Sequence, residues 1–236
     1  MSLREAWEEN AARWAAWARA PGHDTYWRFN ARRFLELVPP PGRCTIDLGC
    51  GEGRLGRDLA ALGHQVIAVD ASPTLVRLAA THDERPLRAV LADAALLPLA
   101  AGVADLVVAF MCLMDIDNMD GAVRESARVL RRGGRLCLAV VHPLNSAGMF
   151  VGDRDDLDAP FVISGSYTEP RRYRDEAEHN GLHMTFVSDH RPIEAYSRAL
   201  EAGGFVVEAL REVTAEDSQD HWTRVPMFLH LRALRV

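Results

Sequence analysis

Short apolar runs alternate with amphipathic stretches through the first two thirds of the chain. Helical stretches are predicted over 54–62, after the Ser72-Pro73 pair and over 121–130. Five apolar runs separate them, and each has the length of a buried strand: 44–48, 65–69, 87–92, 104–110 and 136–141. Strands that alternate with helices at this spacing predict an α/β fold with a doubly wound, mostly parallel sheet.

The two ends of the chain follow different patterns. Apolar residues at three- and four-residue steps predict a helix over 3–20, and a second short helix is predicted over 26–37. After residue 142 the strand rhythm stops, and it resumes only with a predicted helix over 192–202. The last two strands, predicted over 205–213 and 227–236, follow each other directly and indicate a hairpin.

These patterns predict one seven-stranded sheet with an antiparallel last strand and an insertion after strand five. We divide the chain into four predicted parts. They are an N-terminal helical segment (1–38), an α/β core (39–142), an insertion (143–191), and a C-terminal helix and β-hairpin that complete the core (192–236).

Composition narrows the class of protein. The 236 residues are 48% hydrophobic and 25% charged, which is ordinary for a globular protein. All 27 basic residues are arginine, so a Walker A loop and a Schiff-base lysine are excluded. A net charge of −6 without a basic patch indicates no nucleic-acid partner.

The cysteines and the longest apolar runs carry further expectations. The four cysteines are scattered without a C-x-x-C pair, and the insertion histidines His179, His183 and His190, with the acidic run at 153–158, match no common ligand spacing. We therefore expect neither a metal nor disulfides. No apolar run approaches the roughly 18 residues of a membrane span, and the N-terminus lacks a signal-type segment, so we expect a cytoplasmic protein without a membrane partner.

A glycine-rich turn, Asp47-Leu48-Gly49-Cys50-Gly51-Glu52-Gly53, joins the first core strand to its helix. Glycines at such a turn let the backbone approach a nucleotide-type ligand at a helix N-terminus. From Gly51 the sequence also matches G-x-G-x-x-G, and Asp70 follows 19 residues later. Taken alone, that match is typical of NAD binding.

Acidic residues at the ends of three strands favour a different nucleoside. Asp47 precedes the glycines, where it would oppose a pyrophosphate but suits a cationic ligand with an ammonium and a sulfonium. Asp93 ends the third strand, and with Ala94 it is placed to meet the exocyclic amine of an adenine. The C-terminal hairpin, in place of a further βαβ unit, also differs from a dinucleotide-binding fold.

The ordered set of motifs resembles class I S-adenosylmethionine methyltransferases, and best the methyltransferase type 11 (ubiquinone-methylase-like) group. Segment 46–53 resembles motif I of that family, 69–72 its ribose-binding acid and 92–94 its adenine-binding step. Segment 130–136 resembles L-x-P-G-G-x-L, with Arg132 where proline is usual. The resemblance implies S-adenosylmethionine as cofactor, held by Asp47, Gly49, Cys50, Gly51, Asp70, Ala71, Asp93, Ala94, Phe110 and Met111.

The implied activity is methyl transfer to an O, N or C nucleophile of a small organic acceptor. Acceptor residues should lie beyond strands four and five, where open α/β sheets bind ligands. His142 ends strand five and is the candidate base, although a histidine that is simply hydrogen-bonded at a strand end is equally compatible. In families of this kind the N-terminal helices and the insertion form a lid over the cofactor.

Six residues form the predicted acceptor pocket: Tyr26, Trp27, Asp115, His142, Asn145 and Tyr167. We assign Trp7 and Trp14 to helix packing because of their helical spacing, and Asp117 to solvent or a helix cap. Two alternatives stay open, an NAD-dependent oxidoreductase and a non-catalytic S-adenosylmethionine-binding module. The chain is expected to be a monomer or a homodimer.

Overall fold

The computed structural model describes residues 1–82, 84–153, 156–218 and 220–236. The helices are α1 Leu3–Arg19, α2 Ala31–Leu35, α3 Arg54–Ala61, α4 Pro73–Ala80, α5 Met119–Val129, α6 Pro143–Ala147 and α7 Ile193–Ala202. The strands of the first half are β1 Thr45–Leu48, β2 Val66–Asp70, β3 Arg88–Leu91, β4 Ala104–Phe110 and β5 Leu130–Val141. The later strands are β6 Gly148–Phe150, β7 Phe161–Ile163, β8 Arg171–His179, β9 Leu182–His190, β10 Phe205–Val213 and β11 Phe228–Arg235.

Seven strands form the central sheet in the order β10-β11-β5-β4-β1-β2-β3. Strands β1 to β5 run parallel, while β11 is antiparallel to both β5 and β10. The predicted α/β fold, with its mostly parallel seven-stranded sheet and antiparallel last strand, is therefore confirmed. Because β1, β2 and β4 are neighbours, the loops at their carboxyl ends meet at one edge.

Local sequence explains where the elements begin. Ser2 and Glu5 form a capping box at the start of α1, and the Ser72 hydroxyl accepts a hydrogen bond from the Leu75 amide to cap α4. The apolar residues of β1 and β4, such as Ile46 and Val107, are fully buried, as a strand covered on both faces requires.

One strand begins earlier than its apolar pattern indicates. The prediction places β5 at 136–141, whereas the strand starts at Leu130. The register with β4 shifts between Ala104 and Leu106, which accommodates the extra residues as an irregularity. The glycine pair at 133–134 therefore lies within a bent strand rather than in a plain helix-to-strand loop.

The segment 143–191 contains α6 and two β-hairpins, β6–β7 and β8–β9. The β8–β9 hairpin packs against α1, where Phe186 meets the rings of Trp7, Trp14 and Trp17 at centroid distances of 6.4, 6.2 and 6.1 Å. The N-terminal helix and the insertion thus form one covering layer. The acidic run at 153–158 includes Arg154 and Asp155, which lie outside the described residues.

The helices do not have the character of membrane spans. Among the residues that the structure describes, every helix is too short or too polar to cross a bilayer.

Candidate functional site

A cavity with about 1200 Å³ of empty space, part of it open to solvent, lies at the carboxyl ends of β1 to β4. Helix α1 covers it through Trp7 and Trp14. All ten residues predicted to hold the cofactor line this cavity: Asp47, Gly49, Cys50, Gly51, Asp70, Ala71, Asp93, Ala94, Phe110 and Met111. Residues from four different strand ends therefore share one space.

The glycine loop approaches its neighbours too closely for side chains. Gly49 and Gly51 have φ angles of +64° and +58°, a region that side-chain-bearing residues rarely adopt. A Cβ at Gly49 would lie 2.5 Å from the Cβ of Cys112, and one at Gly51 would lie 2.9 Å from the indole nitrogen of Trp14. The bare backbone of the loop therefore borders the cavity, where a ligand can reach it.

Gly49→Ala is expected to destabilise the protein more than Gly204→Ala. Both glycines have positive φ, but a Cβ at Gly204 would meet nothing within 4 Å, so that variant isolates the backbone strain of about 1 kcal/mol. The clash with Cys112 should add roughly 1–3 kcal/mol at Gly49. Urea unfolding of both variants measures the difference. Equal losses would contradict the proposed crowding of the loop.

Asp47 is a buried carboxylate beneath this loop. It is 2% exposed, and its Oδ2 atom has no hydrogen-bond partner within the described part of the chain. Burial, followed by the charge of Asp70, raises the pKa of Asp47 to about 7. The Gly56 amide and the charge of Arg57 act in the opposite direction. A buried carboxylate that lines the cavity and makes no hydrogen bond through Oδ2 is suited to receive a cationic group from a ligand, because burying an ionised group without full compensation is costly.

Asp70, the last residue of β2, is held by two backbone amides. The Gly51 N–H donates to its Oδ2 at 2.8 Å, and the Ser72 N–H donates to its Oδ1 at 2.9 Å. Burial raises its pKa despite these bonds. Each carboxylate oxygen accepts more than one hydrogen bond, so Asp70 retains acceptor capacity for two adjacent hydroxyls.

Asp93 and Ala94 complete the third strand end. The Asp93 side chain is exposed, and its Oδ1 accepts a hydrogen bond from the Ala95 amide at 2.8 Å. Ala94 is buried beside it and provides a small apolar surface. The pair can therefore offer an acceptor and a flat contact to a purine.

Two charged groups next to the loop tie it to the N-terminal segment. Glu52 is 1% exposed and pairs with Arg19 at 2.8 Å and with Arg57 at 2.6 Å. Arg54 pairs with Asp24 at 2.8 Å, and its guanidinium lies over the rings of Trp14 (4.8 Å) and Tyr26 (4.1 Å). We call the six residues that make these contacts the loop clasp: Arg19, Asp24, Tyr26, Glu52, Arg54 and Arg57.

Helix α1 is also attached on the β2 side of the cavity. The carboxylate of Glu8 accepts hydrogen bonds from the hydroxyls of Ser72 and Thr74, the latter at 2.7 Å. With the loop clasp, this contact fixes α1 over the cavity. Apart from Tyr26, none of these side chains was among the predicted site residues, because most of their partners are distant in sequence.

Residues 46–138 match the family model described as a methyltransferase domain, a segment that contains the glycine loop and all three strand-end acids. This segment is similar to a methyltransferase domain. The demethylmenaquinone methyltransferase of Corynebacterium urealyticum is 35% identical over 118 residues, which cover 50% of this chain and 49% of the relative. The chain thus spans about half the length of the curated relatives it matches.

Solved structures agree on the fold around the methyltransferase domain. An S-adenosylmethionine dependent methyltransferase from Mesorhizobium loti superposes with a TM-score of 0.70 at 22% identity, over 90% of this chain and 98% of that chain. The cyclase SpnF superposes with a TM-score of 0.69 at 17% identity, over 100% and 97% of the two chains. Since the second protein is named for a different reaction, the fold alone does not select the chemistry.

The predicted acceptor residues are not brought together by the structure. Asp115 lines the cavity of the methyltransferase domain, but His142 does not. His142 is 1% exposed; its Nδ1 accepts a hydrogen bond from the Leu144 amide at 3.1 Å and caps α6, while its Nε2 lies 3.1 Å from Glu212. Burial lowers the pKa of His142. The geometry therefore matches the hydrogen-bonded strand-end alternative, and the base prediction has no support from it.

The other four predicted pocket residues also lie outside the cavity lining. The Tyr26 hydroxyl donates to Asp58 at 2.6 Å, and Trp27 is 45% exposed with its indole N–H donating to the Ala18 carbonyl. The Asn145 amide donates to the Met227 carbonyl, and the Tyr167 hydroxyl accepts from the Ile193 amide. Each polar group is thus engaged in the protein's own structure.

Trp7 and Trp14 occupy the position predicted for Tyr26 and Trp27. Both line the cavity, and their rings meet edge-on at 5.7 Å. The helical spacing correctly indicated which face of α1 points inward. Part of that face borders a cavity instead of a packed core. The assignment of these two tryptophans to packing alone is corrected accordingly.

Proposed function

We propose that the protein binds S-adenosylmethionine in this cavity and transfers its methyl group to a small organic acceptor. The observation that carries the proposal is the convergence of three strand-end acids, Asp47, Asp70 and Asp93, on the cavity that the glycine loop borders. An ammonium group would complete Asp47, two ribose hydroxyls would occupy Asp70, and adenine would lie at Asp93 and Ala94. S-adenosylmethionine supplies a methyl group on a sulfonium, which an oriented nucleophile can displace.

The same residues argue against a nicotinamide dinucleotide. The pyrophosphate of NAD would have to lie at the glycine loop, next to the carboxylate of Asp47. The negative charges of a pyrophosphate and a neighbouring carboxylate repel each other strongly in a buried site, where water screens them little. The match to G-x-G-x-x-G is therefore accounted for by the close backbone approach that both kinds of nucleoside require.

S-adenosylhomocysteine is expected to raise the melting temperature of the protein, and NAD is not. At a ligand concentration about a hundred times its dissociation constant, binding to the folded state alone adds roughly 2.7 kcal/mol of stability. Differential scanning fluorimetry with each ligand measures the shift. Stabilisation by NAD without stabilisation by S-adenosylhomocysteine would overturn the proposal.

Binding and transfer are separate parts of the proposal. A protein that binds S-adenosylmethionine without consuming it would be the non-catalytic module. Incubation with methyl-labelled S-adenosylmethionine and a panel of amines, phenols and acids separates the two. We expect labelled product from at least one class. The cytoplasmic location and the monomer or homodimer state stay predictions.

A further inference from the structure

Asp115 lies at the acceptor side of the cavity, in the short turn Leu113–Asp115 after β4. The Ser188 hydroxyl of β9 donates a hydrogen bond to its Oδ1 at 2.5 Å. Within the described ranges, no hydrogen bond reaches Oδ2 and no arginine forms an ion pair with the side chain. One carboxylate oxygen is therefore left for a ligand.

The neighbouring acids differ from Asp115 because arginines neutralise them. Arg172 pairs with Asp117 at 2.8 Å and with Asp189 at 2.9 Å. Arg191 pairs with Asp189 at 3.0 Å and also donates to the carbonyls of residues 113 and 116. The cations nearest to Asp115 are thus engaged elsewhere, and its own contact is with a neutral hydroxyl.

Burial raises the pKa of Asp115 to about 8, although Ser188 and the charge of Arg191 act in the opposite direction. The Trp7 indole N–H points toward the Asp115 carboxylate and also favours its charged form, although the contact falls short of hydrogen-bond geometry. Tyr173 of β8 and Tyr196 of α7 face the same region with pKa values raised by burial, so both stay uncharged. Arg191 is the cation that acts on Asp115, and its ion pair is with Asp189.

Aromatic rings complete this side of the cavity. Trp7 and Trp14 line it together with Asp115, and Phe186 packs behind both indoles. Aromatic faces attract cations through the ring quadrupole, and tryptophan does so best. A carboxylate beside two indoles is therefore an arrangement that recognises an ammonium group on an apolar body.

The remaining charges of the cavity favour the same kind of ligand. Four of its lining carboxylates have no arginine partner in the part of the chain that the structure describes, and Arg4 is the lining cation without an ion pair there. The four carboxylates are Asp47, Asp70, Asp93 and Asp115. A cavity with this excess of negative charge attracts cations and repels acids.

We propose that the methyl acceptor is a primary or secondary amine on an apolar body, and that Asp115 binds its ammonium group. This inference rests on the proposed methyl transfer. Asp115 Oδ2 takes one proton from the ammonium, which restores the nitrogen lone pair. The nitrogen then forms a bond to the methyl carbon while the carbon–sulfur bond breaks and its electron pair stays on sulfur. The products are a methylated ammonium, S-adenosylhomocysteine and a proton on Asp115.

The test compares three ligands with one ring system: naphthylmethylamine, naphthylmethanol and naphthoate. Each is titrated by calorimetry into protein saturated with S-adenosylhomocysteine. The amine is expected to bind roughly tenfold more tightly than the alcohol, and the acid most weakly. Labelled S-adenosylmethionine with the amine should give a product heavier by one methyl group.

Asp115→Asn provides the decisive variant, because asparagine keeps the shape and removes the charge. It should lower amine affinity about tenfold, leave alcohol affinity nearly unchanged and keep S-adenosylhomocysteine binding. The matched control is Asp120→Asn, an exposed aspartate of α5 outside the cavity lining, which should behave as wild type.

The outcomes separate the two proposals. If wild-type protein does not bind S-adenosylhomocysteine, the proposed function fails. If it binds that ligand but binds the alcohol as well as the amine, binds no amine at millimolar concentration, or keeps its amine affinity in Asp115→Asn, only the amine inference is overturned.

Discussion

Asp70→Ala is expected to lower the affinity for S-adenosylhomocysteine by roughly a hundredfold or more. The ligand loses two hydrogen bonds to a charged acceptor, each contributing about 1.5–3 kcal/mol. The loop also loses the anchor for the Gly51 and Ser72 amides, which donate to the two carboxylate oxygens at 2.8 and 2.9 Å. Both effects act in the same direction, so this substitution should have the largest effect on cofactor affinity.

Calorimetry measures that loss, and Asp105→Ala is its matched control. Asp105 also caps a strand: it accepts from the Arg43 and Cys44 amides and pairs with Arg131, but it lies at the opposite end of the sheet. Its removal should lower the free energy of unfolding and leave ligand affinity within about twofold. A similar, small affinity change in both variants would mean that Asp70 only caps its strand.

The sheet and the cofactor side of the cavity were predictable because their signals are local. Strands buried on both faces appear in the sequence as continuous apolar runs, and the end of each run predicts which residue ends the strand. In a parallel sheet the ends of β1, β2 and β3 meet at one edge, so Asp47, Asp70 and Asp93 converge without any knowledge of side-chain packing. The cavity contains all three for this reason.

The acceptor side was largely missed because its signals are not local. His142 follows β5 as predicted, yet the chain turns directly into α6, and its imidazole caps that helix instead of reaching the cavity. Whether a side chain at a strand end faces a ligand or its own backbone depends on the next few dihedral angles. Those angles are set by packing against β11, which lies about 85 residues further along the chain.

The covering layer of α1 and the insertion was also predicted only in part, because its contacts are not local. Helical spacing in α1 identifies an inward face, and it cannot distinguish a core from a cavity behind that face. The β8–β9 hairpin decides which applies, since Phe186 packs on Trp7 and Trp14 from one side and leaves their other surfaces on the cavity. The polar, mixed sequence of 143–191 gave no hairpin signal strong enough to predict this contact.

The affinity for S-adenosylhomocysteine is expected to rise roughly tenfold from about pH 6 to about pH 8, because Asp47 must be ionised to bind the ligand's ammonium group. Its pKa of about 7, raised by burial and then by the charge of Asp70, places this change near neutral pH. Asp47→Asn cannot ionise, so it should bind weakly with little pH dependence. Asp115→Asn, which alters the acceptor side, should keep the wild-type profile.

Ionisation of Asp47 should also change the stability of the ligand-free protein. That stability should fall as pH rises, whereas the ligand affinity increases. The pKa of Asp47 is about 7 in the folded state and about 4 when unfolded, so between these values the folded state holds a proton that the unfolded state has lost. Asp47 should therefore lower the free energy of unfolding by roughly 2–4 kcal/mol as pH rises through this window. Asp47→Asn should reduce the slope and leave the part due to Asp115, whose pKa burial raises to about 8. Saturating ligand should reduce the slope as well, because its ammonium compensates the buried charge.

Urea unfolding across pH, with and without S-adenosylhomocysteine, measures both slopes. A ligand affinity that does not vary with pH in the wild type would remove Asp47 from the cofactor site and leave its burial unexplained by ligand binding.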